Sequence, residues 1–183
     1  MKKLILLIAT GLSFLSCEKE MVQKPTNEGE NIQLAKGAAQ ISGRGATQIS
    51  GVGFLADPSE CDFAGQGANF AIRMTGDLEG CLYGFIDEFD CSPSGTYRET
   101  GREYFVGTYK GSTGTFRTDY KFAGKYEGCA TNGAALGAEI FGRCQHPIVE
   151  GSGTGVFEGV EGRIDFKDDI QAENFPYRGH FRF

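Results

Sequence analysis

The chain has 183 residues, enough for one domain with its own hydrophobic core. Its formal net charge is −6 and no run of basic residues is longer than two, which argues against a nucleic-acid partner and against electrostatic docking on anionic lipid. The 28 glycines are about twice the usual share of roughly 7% and indicate many sharp turns.

Residues 1–16 predict an export signal. Two lysines follow Met1, and the apolar stretch over 4–15 is too short to span a bilayer comfortably. Residues 14–17 read Phe-Leu-Ser-Cys and resemble a bacterial lipobox, which implies that Cys17 becomes the lipidated first residue of the mature protein. Several acyl chains would anchor it stably, at about 0.8 kcal/mol per buried CH₂. An ordinary secretory signal that happens to contain a cysteine is the alternative.

Residues 17–36 predict a flexible tether, because they are charged, contain Pro25 and Gly29, and show no sustained apolar period. Residues 18–20, Glu-Lys-Glu, resemble the acidic export tags of surface lipoproteins in some Gram-negative bacteria. We therefore expect an outer-membrane lipoprotein in the cell envelope, held to the membrane by its lipid anchor only and exposed at the surface. One folded domain follows over 37–183.

The domain is expected to be all-β, because apolar and polar residues alternate and helical spacing is nearly absent. The clearest pattern covers 115–122, where every second residue from Phe116 to Phe122 points one way and the residues between them point the other. The predicted strands cover 38–53, 69–74, 79–89, 103–109, 115–122, 138–147, 163–166 and 177–183. Short, glycine-bearing turns join them, which favours a sandwich or an eight-stranded antiparallel up-and-down barrel. A closed barrel leaves no exposed strand edges.

The domain holds five cysteines, and export permits disulfides. Cys81 and Cys91 frame one apolar strand and its turn, and Cys129 and Cys144 lie on neighbouring predicted strands. Several connectivities are open to five cysteines. We favour the pairs Cys81–Cys91 and Cys129–Cys144, with Cys61 free.

No metal or other cofactor is predicted. The chain has no C-x-x-C, and Cys144 with His146 alone is not a ligand set. Asp168, Asp169 and Glu173 share one loop, but their spacing fits no EF-hand and indicates a solvated hairpin loop. The sequence also has no phosphate-binding loop, no H-E-x-x-H and no G-x-S-x-G.

Four polar residues on two predicted strands form a candidate ligand-binding cluster. Arg143 and His146 end one strand, and Arg163 and Asp165 lie on the next. If the strands are neighbours, the side chains form either a polar cluster at the barrel mouth, where ligands commonly enter, or a solvated outer face with cross-strand ion pairs. Tyr177 is a further candidate, since the tyrosines either line a lumen or pack the core. The others in that group are Tyr97, Tyr104, Tyr109 and Tyr120.

Two glycine-rich segments carry a resemblance to a known family. Residues 105–109, FVGTY, lead through Gly111 into G-T-F at 114–116, and residues 153–162 read G-T-G-V-F-E-G-V-E-G. This resembles the glycine pattern of the allene oxide cyclase-like barrel superfamily, which includes the dirigent proteins. The resemblance implies an eight-stranded antiparallel barrel, a lumen for a small apolar molecule and often a homotrimer. Plant members steer cyclisation or radical coupling of a bound substrate, but none of their catalytic positions can be matched to a residue here.

The sequence thus predicts an exported, lipid-anchored β-barrel lipoprotein that acts as a non-catalytic binding or structural module for a small apolar ligand. One alternative is a cyclase or isomerase that works in the barrel lumen. The other is a surface scaffold for protein partners, which predicts a large exposed apolar patch.

Overall fold

The computed structural model of the protein describes residues 45–61 and 67–183. The predicted signal (1–16), Cys17, the predicted tether (17–36) and residues 37–44 of the predicted domain lie outside the described residues. Within the described ranges the chain is all-β, apart from one short 3₁₀ turn at Pro58–Glu60. No helix in these ranges has the length and apolar character needed to cross a bilayer.

Eight of the nine strands in the described chain close a barrel. The strands are β1 (Thr47–Ala56), β2 (Phe70–Gly76), β3 (Leu78–Cys91), β4 (Thr96–Tyr109), β5 (Ser112–Cys129), β6 (Ala135–Pro147), β7 (Thr154–Gly155), β8 (Glu161–Lys167) and β9 (Phe175–Arg182). The barrel strands pair antiparallel in chain order, passing over the two-residue β7, and β9 pairs with β1 to complete the ring. The predicted eight-stranded antiparallel up-and-down barrel is therefore confirmed.

The fifth strand shows why this sequence forms such a sheet. Phe116, Thr118 and Tyr120 of β5 are buried inside the barrel, whereas residues 117, 119 and 121 are exposed on its outer surface. One apolar and one wet face is the arrangement that an antiparallel barrel strand requires. The sequence prediction has the right number of barrel strands but makes several too short, since β4 begins at Thr96 rather than 103 and β5 continues to Cys129.

The two ends of the barrel are filled differently. We name the end at which β1, β3, β5 and β8 finish the open end, and the opposite end the closed end. Aromatic rings pack the closed end: Phe116 stacks on Phe105 with ring centroids 4.8 Å apart, and Phe157 lies edge-on to Phe116 at 4.9 Å and to Phe181 at 5.9 Å. All four rings are fully buried. Each such ring brings a large apolar area and a specific packing geometry to the core.

The connection between β6 and β8, residues 148–160, seals the closed end, and we name it the plug. Its strand β7 pairs with the start of β5, with Gly155 opposite Gly114. Gly155 has a φ of 59°, a conformation that favours glycine. The turn that follows drives Phe157 and Val160 into the core, where both are buried. The glycine-rich motif at 153–162 therefore turns the chain and delivers an aromatic side chain.

Two disulfides stabilise the described chain. Cys61, just after the 3₁₀ turn, bonds to Cys81 on the outer face of β3, beside a small cluster that includes the buried Tyr83. Cys91 bonds to Cys129 and ties together the last residues of β3 and β5 at the open end. The expectation of disulfides is therefore confirmed.

The predicted pairing of the cysteines is wrong. Cys81 and Cys91 lie on one extended strand, which holds their Cα atoms about 33 Å apart, whereas a disulfide needs about 7 Å or less. Cys144 pairs in register with Phe122, so Cys129 lies about 23 Å further along β5. Among the five cysteines that the structure describes, Cys144 is accordingly the buried free thiol in place of Cys61. Adjacent strands bring two cysteines together only where their register matches.

Candidate functional site

The open end of the barrel holds a cavity of about 310 Å³. Its wall is mainly apolar and aromatic, from Leu55 at the rim, which is 67% exposed, to the buried Phe166 inside. Sites for small molecules commonly have volumes of about 300–1,000 Å³ and a similar mixture of apolar wall and few polar groups. The cavity is therefore large enough for a small organic ligand.

Unequal strand lengths shape this cavity. Phe70, the first residue of β2, pairs with Gly84 of β3, so residues 85–91 of β3 continue past the start of β2. They pair with the beginning of β4, which in turn pairs with the far part of β5. These long strands extend the barrel wall on one side of the open end, while the plug fills only the closed end.

Three rings form one side of the cavity, which we name the aromatic wall. Tyr97 lies 5.6 Å from Tyr126 in a T-shaped arrangement and 6.0 Å from Phe122, measured between ring centroids. Burial, and then the neighbouring Glu139, raises the pKa of Tyr126. The phenol is therefore neutral at physiological pH and acts as a hydrogen-bond donor.

Glu99 is held by two phenols. The Tyr97 hydroxyl donates to Glu99 Oε2 at 2.6 Å, and the Tyr120 hydroxyl donates to Glu99 Oε1 at 2.7 Å. Burial, and then Glu99 itself, raises the pKa of both tyrosines, so both remain donors. Because both of its oxygens accept a hydrogen bond, the Glu99 carboxyl group is fixed in the cavity wall.

Glu103 and His146 form the floor of the cavity, and the buried Thr118 lies behind them. His146 Nδ1 contacts Glu103 Oε2, and the Thr118 hydroxyl donates to that same oxygen at 2.6 Å. The side chains of His146 and Glu103 are only 2% and 0% exposed. Among the residues that the structure describes, Glu103 Oε1 and His146 Nε2 have no hydrogen-bond partner. Buried polar atoms are normally paired, so these two positions are available to a ligand.

A second acidic pair lies in the cavity, formed by Glu139 and Asp168. Glu139 Oε2 accepts a hydrogen bond from Tyr126 at 3.2 Å. One oxygen of each carboxyl group lies over Gly142, where a Cβ atom would overlap both. Burial, and then the neighbouring Glu139, raises the pKa of Asp168 to about 7. Asp168 therefore retains a proton in mild acid and loses it above neutral pH.

Of the five predicted ligand-binding residues, the structure places only His146 in the cavity wall. Arg143 is exposed on the outer face of β6, since it alternates with the inward-facing Cys144. Arg163 and Asp165 form an ion pair at 2.8 Å on the outer face of β8, with side chains 46% and 40% exposed. Of the two predicted alternatives, Arg143, Arg163 and Asp165 therefore form the solvated outer face and not a cluster at the barrel mouth. The ion pair, however, lies within one strand rather than across two.

Tyr177 packs in the core rather than in the cavity wall. Its hydroxyl accepts a hydrogen bond from the Leu78 amide at 3.0 Å and donates to the Thr75 carbonyl at 3.2 Å. Burial raises its pKa to about 12. Tyr177 thus holds the turn between β2 and β3 against β9.

Sequence reasoning misses the four carboxyl groups of the cavity. The sequence assigns Asp168 to a solvated loop, whereas in the structure Asp168 directly follows β8 and continues the inward alternation of Phe166 into the cavity wall. Glu139 gives no such signal, because the register between β5 and β6 skips Ile140. Strict alternation would bury Ile140, whereas the bulge leaves it 56% exposed and turns Glu139 inward.

The free thiol of Cys144 also lines the cavity. Burial, and then Glu103, raises its pKa. A thiol that is not ionised is a poor nucleophile. The cavity wall therefore presents Cys144 as a small apolar group.

No known protein-family model matches the chain, and no curated protein is significantly similar to it. Within residues 45–61 and 67–183, no group of three or more His, Cys, Asp or Glu side chains could hold a metal ion. The resemblance to the allene oxide cyclase-like superfamily stays a prediction, since a closed antiparallel barrel also serves unrelated functions.

Proposed function

We propose that the protein binds a small molecule with a largely apolar body in the open-end cavity, and that it does so as an exported, lipid-anchored lipoprotein. The cavity carries the proposal, because its apolar and aromatic wall surrounds a few fixed polar groups, the usual composition of a ligand site. Binding of this kind requires no catalysis.

Native mass spectrometry of the purified full chain tests the binding role. We expect a co-purified small molecule, or saturable binding of added 2-phenylethanol, in the wild type. Ala135 lines the cavity, so Ala135→Phe should fill it and abolish binding. Ala138 is exposed on the same strand, so Ala138→Phe is the matched control. Equal binding by both variants, or none by the wild type, contradicts the proposal. The same spectra test the homotrimer that the family resemblance implies.

The predicted location, a lipid anchor in the cell envelope, is tested separately. Two disulfides support an oxidising compartment. We expect Cys17→Ala to shift the protein from the membrane fraction to the soluble fraction of the cell envelope. Persistence in the membrane fraction after washing with high salt would instead indicate a different anchor.

The Glu103–His146 pair favours a second candidate function, a proton-transferring isomerase that works in the cavity. His146 Nε2 faces no partner in the described chain and would accept a proton from a bound ligand and return it at another carbon. The test incubates the co-purified molecule with the protein in D₂O. Deuterium uptake by the ligand that is lost in His146→Asn supports the isomerase. No uptake with the wild type contradicts the isomerase and leaves the binding function.

A further inference from the structure

Binding of an apolar body does not explain the charge of the cavity. Its described lining includes four carboxyl groups and one imidazole, but no lysine or arginine. Burial of a carboxylate costs free energy unless a cation or hydrogen-bond donors compensate it. Phenols compensate Glu99, and His146 and Thr118 compensate Glu103. Among the described residues, the side chains of Glu139 and Asp168 have only the Tyr126 hydroxyl and each other as hydrogen-bond partners.

We propose that the cavity binds a protonated primary or secondary amine that carries an apolar or aromatic body. This inference rests on the proposed binding function and names its ligand class. The ammonium group would lie between the second acidic pair, Glu139 and Asp168, and the floor of the cavity, and the body would contact the apolar wall.

The unpartnered atoms of the cavity match an ammonium group. Glu103 Oε1 is a buried acceptor without a partner in the described chain, and buried Glu139 Oε1 has only the Asp168 carboxyl group beside it. His146 Nε2 is equally unpartnered, and it becomes an acceptor when the ring proton sits on Nδ1 beside Glu103. An alkylammonium group donates hydrogen bonds and accepts none. A carboxylate ligand would add a like charge and supply no donor.

The aromatic wall points to an organic cation. The rings of Tyr97 and Phe122 lie beside Tyr126, whose hydroxyl already contacts Glu139. A cation that pairs with Glu139 therefore lies next to aromatic rings, which attract positive charge through their faces. The apolar remainder of the wall matches a hydrocarbon body and offers a bare metal ion no ligands.

Three probes that share a phenylethyl body and differ in charge test the inference. They are 2-phenylethylammonium, neutral 2-phenylethanol and anionic 3-phenylpropionate, each titrated at pH 8 into the ¹⁵N-labelled full chain. Amide shifts around the cavity report binding. We expect the cation to bind at least tenfold more tightly than the alcohol, and the anion to bind most weakly.

Two double variants separate the acidic pair from general charge. Glu139→Gln/Asp168→Asn should weaken binding of the cation at least tenfold while binding of the alcohol stays within about twofold. Glu150→Gln/Asp119→Asn removes the same charge from exposed positions and should leave both affinities unchanged. The alcohol checks that the cavity variant still folds and binds.

The outcomes distinguish the two proposals. Equal binding of alcohol and amine overturns the amine inference and leaves the binding function standing. Equal loss of amine affinity in both double variants also overturns it, because the attraction would then come from the overall charge. If none of the three probes binds, the amine inference fails, whereas the binding function fails only if no small molecule co-purifies either.

Discussion

The closed and open ends of this barrel use the same strands for opposite purposes. β4 directs Phe105 and Tyr109 into the aromatic core of the closed end, and Tyr97 and Glu99 into the cavity at the open end. The buried rings at the closed end pack against one another, whereas the open end leaves space and carries carboxyl groups in its wall. We therefore expect stability to come mainly from the closed end and ligand recognition from the open end.

The largest expected effect comes from the plug. Phe157→Ala should lower the free energy of unfolding by about 3–5 kcal/mol, because it leaves a void among three buried rings. Leu55→Ala at the rim of the cavity should change it by no more than about 0.5 kcal/mol. Urea unfolding followed by circular dichroism measures both. Similar losses of unfolding free energy for the two variants would contradict the expectation that stability comes mainly from the closed end.

The buried pair on the cavity floor sharpens the comparison. His146→Leu should cost about 3 kcal/mol, because it leaves Glu103 buried with Thr118 as its remaining donor. The double variant Glu103→Leu/His146→Leu should cost less than His146→Leu alone, because no uncompensated charge remains. The same unfolding experiment on these two variants and on Glu103→Leu tests this. A double variant that loses the sum of the two single effects would show that the pair is not coupled.

The smallest effect depends on pH and belongs to the open end. Between about pH 4 and 7 the folded protein keeps a proton on Asp168 that the unfolded chain has released, since burial raises its pKa to about 7. The contribution of this group to stability therefore falls as the pH rises through that window and is constant above it. Asp168→Asn should be more stable than wild type by about 1–2 kcal/mol at pH 8, because solvent screens part of the effect, and should differ little at pH 4.

Asp119→Asn is the control for that measurement, since Asp119 lies exposed on the outer face of β5. Its stability should follow that of the wild type at both pH values. A stability difference for Asp168→Asn that does not change with pH would contradict a proton retained on Asp168.

The same contrast explains what the sequence predicts and what it does not. Alternation in β5 and β8 identifies strands with one buried face, which is enough to derive an all-β barrel. It fails over 96–102 of β4, because the inward positions there are Tyr97, Glu99 and Gly101 rather than a row of apolar residues. Where a strand lines an acidic cavity, polar functional residues occupy its inward positions. The alternation of apolar and polar residues by which a strand is recognised is then lost.

The site is harder to predict than the fold for a second reason. His146 is a candidate from the sequence because it belongs to a polar strand end, but its partner Glu103 lies 43 residues away and meets it only across the intervening strand β5. Glu139 turns inward because of a β-bulge, and the residue pattern does not predict that bulge. Arg163 and Asp165 are candidates from the sequence because of their charge. They alternate with the buried Ile164, however, and therefore lie on the outer face.

Closure of the barrel also sets the timing of folding. β1 pairs with β9, with Thr47 opposite Phe181 and Gly53 opposite Phe175. A nascent chain therefore lacks both its sealing strand and two core rings, Tyr177 and Phe181, until synthesis reaches the last strand. Pairing between such distant segments makes folding slow. The delay would keep the growing chain unfolded and competent for threading through a membrane channel, as the proposed export requires.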